Sequence, residues 1–97
     1  MIRKDECMNA VTERFPDFAP RWEAYLDRWQ GESPGLSLEL AEFARHIEGI
    51  IAAGETERAS AMMGFVEELL SAGSDEVKNA VAALLLEHLV NAAEAGM

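Results

Sequence analysis

The chain of 97 residues has little of what marks several large protein classes. Its one cysteine, Cys7, excludes an internal disulfide framework and fits a reducing compartment, so we expect a cytoplasmic protein in which this small side chain is buried. The longest apolar run, Ala80 to Leu86, has seven residues, far fewer than the roughly 20 that a transmembrane helix needs. The N-terminus also turns acidic where a signal peptide needs an apolar stretch. The sequence therefore predicts neither export by that route nor a membrane span.

Basic residues are scarce as well, and they are unevenly placed. The chain has 18 acidic and 8 basic residues, for a formal charge of -10. Residues 1–30 are nearly neutral, whereas residues 31–97 set twelve acids against Arg45, Arg58 and Lys78. Nucleic acids and anionic lipids bind clustered Lys and Arg, so a surface of this sign argues against both as partners. The charge predicts a basic protein partner, although an acidic surface also serves solubility alone.

What the chain does contain is apolar residues at helical spacing. They make up 49% of the sequence, and no stretch alternates apolar and polar residues as a half-buried strand does. In five stretches the apolar residues recur every three or four positions, and Pro16, the turn cluster over 31–37, Gly54 and Gly73 separate these stretches. The length suffices for one core without metal or disulfide links. The sequence therefore predicts a single all-α domain over 1–97, a compact five-helix bundle with short loops.

The predicted helices cover about 4–15, 18–30, 38–53 and 56–72, with a fifth beginning after Ser74. The second is expected to take Asp17 as its N-cap and to end at Gly31. The fifth has apolar residues on two sides, which predicts either a central position in the bundle or a contact with a second copy through Leu86 and Val90. The sequence therefore does not decide between a monomer and a homodimer.

Motifs for catalysis are missing too. The sequence has no Gly-rich phosphate loop, no His-Glu-x-x-His motif, no cysteine pair and no Gly-x-Ser-x-Gly turn. Glu42 and His46, four residues apart on the predicted outer face of the third helix, could share a metal ion, but no third ligand is specified. His88 is a lone candidate base without a nucleophile near it in sequence. We expect no enzyme, no cofactor and no metal; a small metal-dependent hydrolase using these three residues is the remote alternative.

Two helix faces are candidates for binding a protein, besides the second side of the fifth helix. Trp22, Tyr25 and Trp29 form an aromatic stripe, flanked by Arg21 and Arg28 as expected solvated charges, and aromatic side chains concentrate at interface hot spots. A helix facing the core needs the same stripe, so core and interface both remain open. The other candidate is the acidic outer face of the fourth helix, formed by Glu57, Glu67 and Glu68 around Ser60 and Gly64.

The last predicted helix resembles part of a known repeat. Residues 75–81, Asp-Glu-Val-Lys-Asn-Ala-Val, continuing to Leu84 and Leu89, resemble the second helix of a HEAT repeat. The resemblance implies that residues 56–93 form one such helical hairpin. Because stacked arrays need about three repeats and only one is visible, a solenoid is not expected.

More broadly, the chain resembles an uncharacterised family of small all-helical bacterial proteins. The stretches that carry this resemblance are Phe15-Pro16-Asp17-Phe18, Trp29-Gln30-Gly31, Glu42-Phe43-Ala44-Arg45, Phe65-Val66-Glu67-Glu68-Leu69 and Asp75 to Leu89. The resemblance implies an immunity-like role against toxins and supplies no catalytic or binding residues. Taken with the charge, it favours a non-enzymatic acidic domain that binds a basic protein through its third, fourth or fifth helix. A homo-oligomeric structural protein is the alternative.

Overall fold

Helices form nearly all of the regular structure in residues 1–32 and 35–84, the part of the chain that the computed structural model describes. The α-helices are α1 (Lys4–Arg14), α2 (Ala19–Trp29), α3 (Leu36–Ala52), α4 (Thr56–Ala72) and α5 (Asp75–Leu84). A short 3-10 helix, Pro16–Phe18, joins α1 to α2. No strand occurs within these described ranges, where the one extended pairing is a bridge between Ile2 and Gly73. The prediction of an all-α five-helix bundle is confirmed.

The helix ends follow the turn residues, with two corrections. The predicted N-cap Asp17 is wrong: it lies in the 3-10 helix, and α2 begins after Phe18 without a side-chain cap. At the end of α2 the backbone turns left-handed at Gln30 and at Gly31, whose N–H donates to the carbonyl of Leu26 at 3.1 Å, as expected for a helix stop. Helix α3 begins at Leu36, two residues earlier than predicted.

Helix α3 lies at the centre of the bundle. It packs against α1, α2, α4 and α5, whereas α5 packs against α1, α3 and α4. The Phe43 ring of α3 meets the Phe18 ring edge-on at 5.4 Å between centroids and stacks on Phe15 at 5.9 Å. Each such buried side chain contributes about 1.5–3 kcal/mol to folding. The largest fully buried side chains are Phe18, Phe43, Leu40, Ile47, Met62 and Leu69.

The N-terminus is fixed to the turn between α4 and α5. The N–H of Ile2 donates to the carbonyl of Ala72 at 2.9 Å, and the N–H of Ser74 donates to the carbonyl of Ile2 at 2.8 Å. Gly73 sits inside this clamp, where an added Cβ would lie 2.5 Å from the Leu69 carbonyl oxygen. Helix α4 therefore ends where the sequence predicts, and it ends at a residue whose missing side chain allows the close approach.

Candidate interaction surfaces

The aromatic stripe of α2 runs from the core to the surface. Tyr25 is buried, Trp22 is partly buried, and Trp29 is 41% exposed. The rings of Trp22 and Tyr25 stack at 5.2 Å between centroids, and Trp29 lies 6.3 Å from Tyr25 at the outer end. The inner residues of the stripe therefore belong to the interior, while its last residue, Trp29, is on the surface, where a protein interface stays a prediction.

Glu42 does not lie on the outer face of α3, so that prediction is wrong. Its side chain is only 6% exposed, because it faces α2 and meets three arginines. Its Oε2 accepts from Nε of Arg21 at 3.0 Å, and its Oε1 accepts from Nη2 of Arg28 at 2.8 Å and from Nη1 of Arg45 at 3.1 Å. Arg21 and Arg28 are therefore partners of a buried carboxylate, and not merely the solvated charges that the sequence suggested.

The spacing of the charged residues along α2 and α3 brings this cluster together. On α2, Arg21, Tyr25 and Arg28 are separated by four and three positions, which places them on one face. On α3, Glu42 and Arg45 are three positions apart and lie on the face that packs on α2. The apolar pattern of each single helix does not predict the burial of Glu42, since two of its three partners, Arg21 and Arg28, come from another helix.

The arginines decide the charge state of Glu42. Burial alone would raise its pKa, but the hydrogen bonds and positive charges of Arg21 and Arg28 outweigh burial and hold the pKa below its ordinary value. Glu42 is therefore ionised at neutral pH. The three arginine side chains are 41–60% exposed, so three cations surround one anion at the surface of a chain whose total charge is -10.

Exposed apolar side chains adjoin this cluster. Trp29 and Leu38 are 41% and 47% exposed, and they line a small cavity of about 200 Å³ together with Tyr25, Arg28, Glu42 and Arg45. We call Arg21, Arg28, Trp29, Leu38, Glu42 and Arg45 the arginine–tryptophan patch. It contains Trp and Arg, two of the residue types that dominate binding energy at protein interfaces.

The outer face of α4 is acidic and built of small side chains, as predicted. Glu57 and Glu67 are exposed and have no ion pair within the described residues. Glu68 differs, because it pairs with Arg14 at 3.1 Å, and the Arg14 guanidinium also lies 5.0 Å from the Phe65 ring centroid. The small exposed residues of α4 near these two acids are Ser60, Ala61, Gly64 and Ser71, and the exposed Arg58 next to Glu57 is paired with Asp17 and Glu55.

Ion pairs within the chain occupy nearly all of its cations. Arg3 pairs with Glu6, Lys4 with Glu76, and the remaining arginines with the acids described here. Within residues 1–32 and 35–84, Lys78 alone among the basic residues has no ion pair. The excess acids therefore dominate the outward-facing charge.

His46 pairs with Asp17 and not with Glu42. Its Nε2 lies 2.9 Å from Oδ2 of Asp17, which Arg58 of α4 also contacts, and Arg58 donates to Glu55 at 2.9 Å. Burial pushes the pKa of Asp17 upward, but the hydrogen bond from His46 and the Arg58 charge lower it overall. This cluster ties the 3-10 helix to α3 and α4, since its members come from all three.

Neither the metal site nor a membrane span finds support in the described part of the chain. No group of three or more His, Cys, Asp or Glu side chains there is placed to hold a metal ion, and no helix there is long and apolar enough to cross a bilayer. Leu86, His88 and Val90 lie outside the described residues, so the hypotheses built on them stay predictions.

Comparison with known proteins places the chain in a family. No curated protein and no solved structure gives a significant match. The model of a family described as a domain of unknown function, DUF7674, matches residues 8–96. The expectation of an uncharacterised family is thereby confirmed in this general form. Since the match covers nearly all of the 97 residues, the protein belongs to the DUF7674 family.

Proposed function

We propose that this chain is a non-enzymatic interaction domain that binds a basic protein through the acidic outer face of α4. The observation that carries the proposal is the distribution of ion pairs. Nearly all basic residues of the chain have an ion-pair partner within it, while Glu57 and Glu67 stay exposed without an ion pair in the described residues. A basic partner would supply the missing countercharge and would be steered to this face from a distance.

The shape of this face suits a close approach. Glu57 and Glu67 are ten positions apart, which on a helix corresponds to about 15 Å. Apart from Arg58, which pairs with Asp17 and Glu55, the exposed residues between them are Ser60, Ala61 and Gly64. These three are small, so a partner's backbone can come near while its Lys or Arg side chains reach the acids on either side. The partner we expect therefore carries basic side chains with a similar separation.

The cytoplasm is the compartment that we propose, and a toxin is the class of partner. Cys7 is free and fully buried, which suits a reducing compartment. The immunity-like resemblance supports a basic bacterial toxin domain as the partner. The HEAT-like hairpin proposed from the sequence is supported by the contact between α4 and α5 across the short turn at Gly73.

A binding test with charge-matched variants examines the proposal. The wild-type chain is immobilised and exposed to host extract at low salt, and the retained protein is then tested on the double variant Glu57→Gln with Glu67→Gln. Glu13→Gln with Glu23→Gln is the control, because it removes the same charge from exposed residues of α1 and α2.

We expect a basic protein that the wild type and the control retain and the α4 variant loses. Raising the salt should release it, because the Debye length falls from about 10 Å at 0.1 M to about 3 Å at 1 M. Equal retention by the α4 variant, or no retained protein at either salt, would contradict the proposal.

A further inference from the structure

The arginines of the arginine–tryptophan patch have N–H donors that Glu42 does not use. A carboxylate has about four lone-pair positions and a guanidinium has five N–H groups. Glu42 accepts one N–H from each of Arg21, Arg28 and Arg45, so most of its acceptor capacity is filled while each arginine retains further N–H groups. These side chains are 41–60% exposed, which leaves those donors within reach of a ligand.

Glu42 also fixes the arginines in place. An arginine side chain in solution rotates about several bonds, and ordering it costs conformational entropy. Here the buried carboxylate already holds each guanidinium at 2.8–3.1 Å, so a ligand binds to groups that are ordered in advance. The same carboxylate cancels only one of the three positive charges.

Of the described residues that line the cavity, Glu42 is the one acid; Glu48, three positions after Arg45, does not line it. The charged residues that line it are Arg28, Arg45 and Glu42. Glu23 and Asp27 of α2 are each two positions from Tyr25, about 200° away around the helix. Glu39 of α3 lines a different groove. The cavity therefore favours an anionic group, in contrast to the chain as a whole.

The apolar part of the patch restricts the kind of anion. Trp29 and Leu38 present exposed apolar surface beside Arg28 and Arg45 around one cavity of about 200 Å³. A polyanion such as nucleic acid would meet the repulsion of the other acids over a Debye length of about 10 Å. A single carboxylate beside a bulky apolar side chain meets the arginines at contact distance and covers the exposed apolar atoms.

We propose that the arginine–tryptophan patch binds an acidic, apolar peptide segment of a partner protein. A carboxylate of the segment pairs with Arg28 and Arg45, whose planar guanidinium groups match carboxylate geometry. An adjacent Leu or Phe side chain of the segment packs on Trp29 and Leu38. This site is independent of the acidic face of α4 and of its basic partner.

Nuclear magnetic resonance titration of the ¹⁵N-labelled chain tests the proposal. The probe is the C-terminally amidated peptide Gly-Ser-Ser-Leu-Glu-Phe-Ser-Ser-Gly, which carries a single acidic side chain, and the readout is the indole N–H signal of each of the two tryptophans together with the arginine Nε–H signals. A polar control peptide replaces Leu and Phe by Ser. A neutral control peptide replaces Glu by Gln.

We expect a saturable shift of the Trp29 indole signal that exceeds the shift of Trp22, and about tenfold weaker binding of each control peptide. The Arg28→Gln with Arg45→Gln variant should also weaken binding about tenfold, whereas Arg14→Gln, which removes a similarly exposed arginine elsewhere, should leave it unchanged. Trp29→Ser, at a 41% exposed residue at the end of α2, provides a second variant with the same expected loss, followed by the arginine Nε–H signals.

Three results would overturn the proposal. The first is the lack of a saturable Trp29 shift at millimolar peptide. The second is an equal shift with the polar control peptide or with inorganic phosphate, which would indicate anion binding without apolar recognition. The third is an equal loss of affinity in Arg14→Gln and in the variant of the patch.

Discussion

The substitution Glu42→Gln removes one negative charge from the centre of three arginines. The amide of Gln keeps nearly the same volume and can still accept a hydrogen bond through its one oxygen, so packing changes little. Arg21, Arg28 and Arg45 lose their common counterion and repel one another across the junction of α2 with α3. We therefore expect Glu42→Gln to lower the free energy of unfolding markedly.

The magnitude follows from the burial of the carboxylate and the exposure of the arginines. Breaking a fully buried ion pair costs about 3–5 kcal/mol, but these arginines are 41–60% exposed and recover water, which reduces the cost. We expect the free energy of unfolding to fall by about 2 kcal/mol. In a domain of this size, 1 kcal/mol corresponds to about 4–8 °C in Tm, so Tm should fall by about 8–16 °C.

Urea and thermal unfolding followed by circular dichroism at pH 7 measure this loss. Glu67→Gln is the control, because this exposed acid has no ion pair in the described part of α4 and its loss should change stability by less than about 0.5 kcal/mol. An equally small effect of Glu42→Gln would refute the reasoning, since it would mean that the arginines do not depend on the buried carboxylate.

The pH dependence of the same variant checks the electrostatic origin. The folded pKa of Glu42 is depressed, so its stabilisation is present above the ordinary value of 4.5 and is lost as pH falls through the folded pKa. The stability difference between wild type and Glu42→Gln should therefore be constant near neutral pH and shrink in acid. A difference that persists unchanged to pH 2 would indicate a packing defect instead.

Two substitutions and one labelling reaction at other sites give further tests. Gly73→Ala should lower the free energy of unfolding by about 1–3 kcal/mol, because the new Cβ would lie within 2.5–2.9 Å of the Leu69 carbonyl oxygen and the Val77 side chain. An unchanged free energy in urea unfolding would contradict this close approach. Gly64→Ala, on the open face of α4 with no atom within 4 Å of its added Cβ, should raise the free energy of unfolding by up to about 1 kcal/mol in the same assay. A lower free energy of unfolding would contradict this open space, since it would mean that the added methyl group meets a neighbouring atom. Burial, with the Glu39 charge, raises the pKa of Cys7 to about 11 from 9.0, so iodoacetamide at pH 8 should label the native chain at least about a hundredfold more slowly than the chain in guanidinium; equal rates would show that the thiol is accessible.

The fold was accessible from sequence because each helix carries its own apolar period. The inward stripes on α3 and α4 need only local spacing, and Gly31, Gly54 and Gly73 mark ends that the backbone respects. The start of α3 was placed too late, because Leu36 follows a cluster of turn residues, and the left-handed backbone of Gly35 permits the helix to begin directly after it.

The candidate site was harder to predict, since it depends on pairing between helices. Glu42 looked solvated because a carboxylate on a mostly apolar helix is usually placed outside. Its burial requires Arg21 and Arg28, which lie on α2 and whose register relative to α3 no single-helix pattern contains. The sequence suggested Glu42 as the neighbour of His46, but His46 pairs with Asp17. The cause is the same, because Asp17 comes from the 3-10 helix and not from α3.

The central claim is that the acidic face of α4 binds a basic protein, and carboxyl footprinting tests it most directly. A carbodiimide couples glycine ethyl ester to accessible carboxylates of the free chain and of its complex with the retained partner, and mass spectrometry quantifies each site. We expect Glu57 and Glu67 to be labelled in the free chain and protected in the complex, while Glu13 and Glu23 stay labelled. Undiminished labelling of Glu57 and Glu67 in the complex would contradict it.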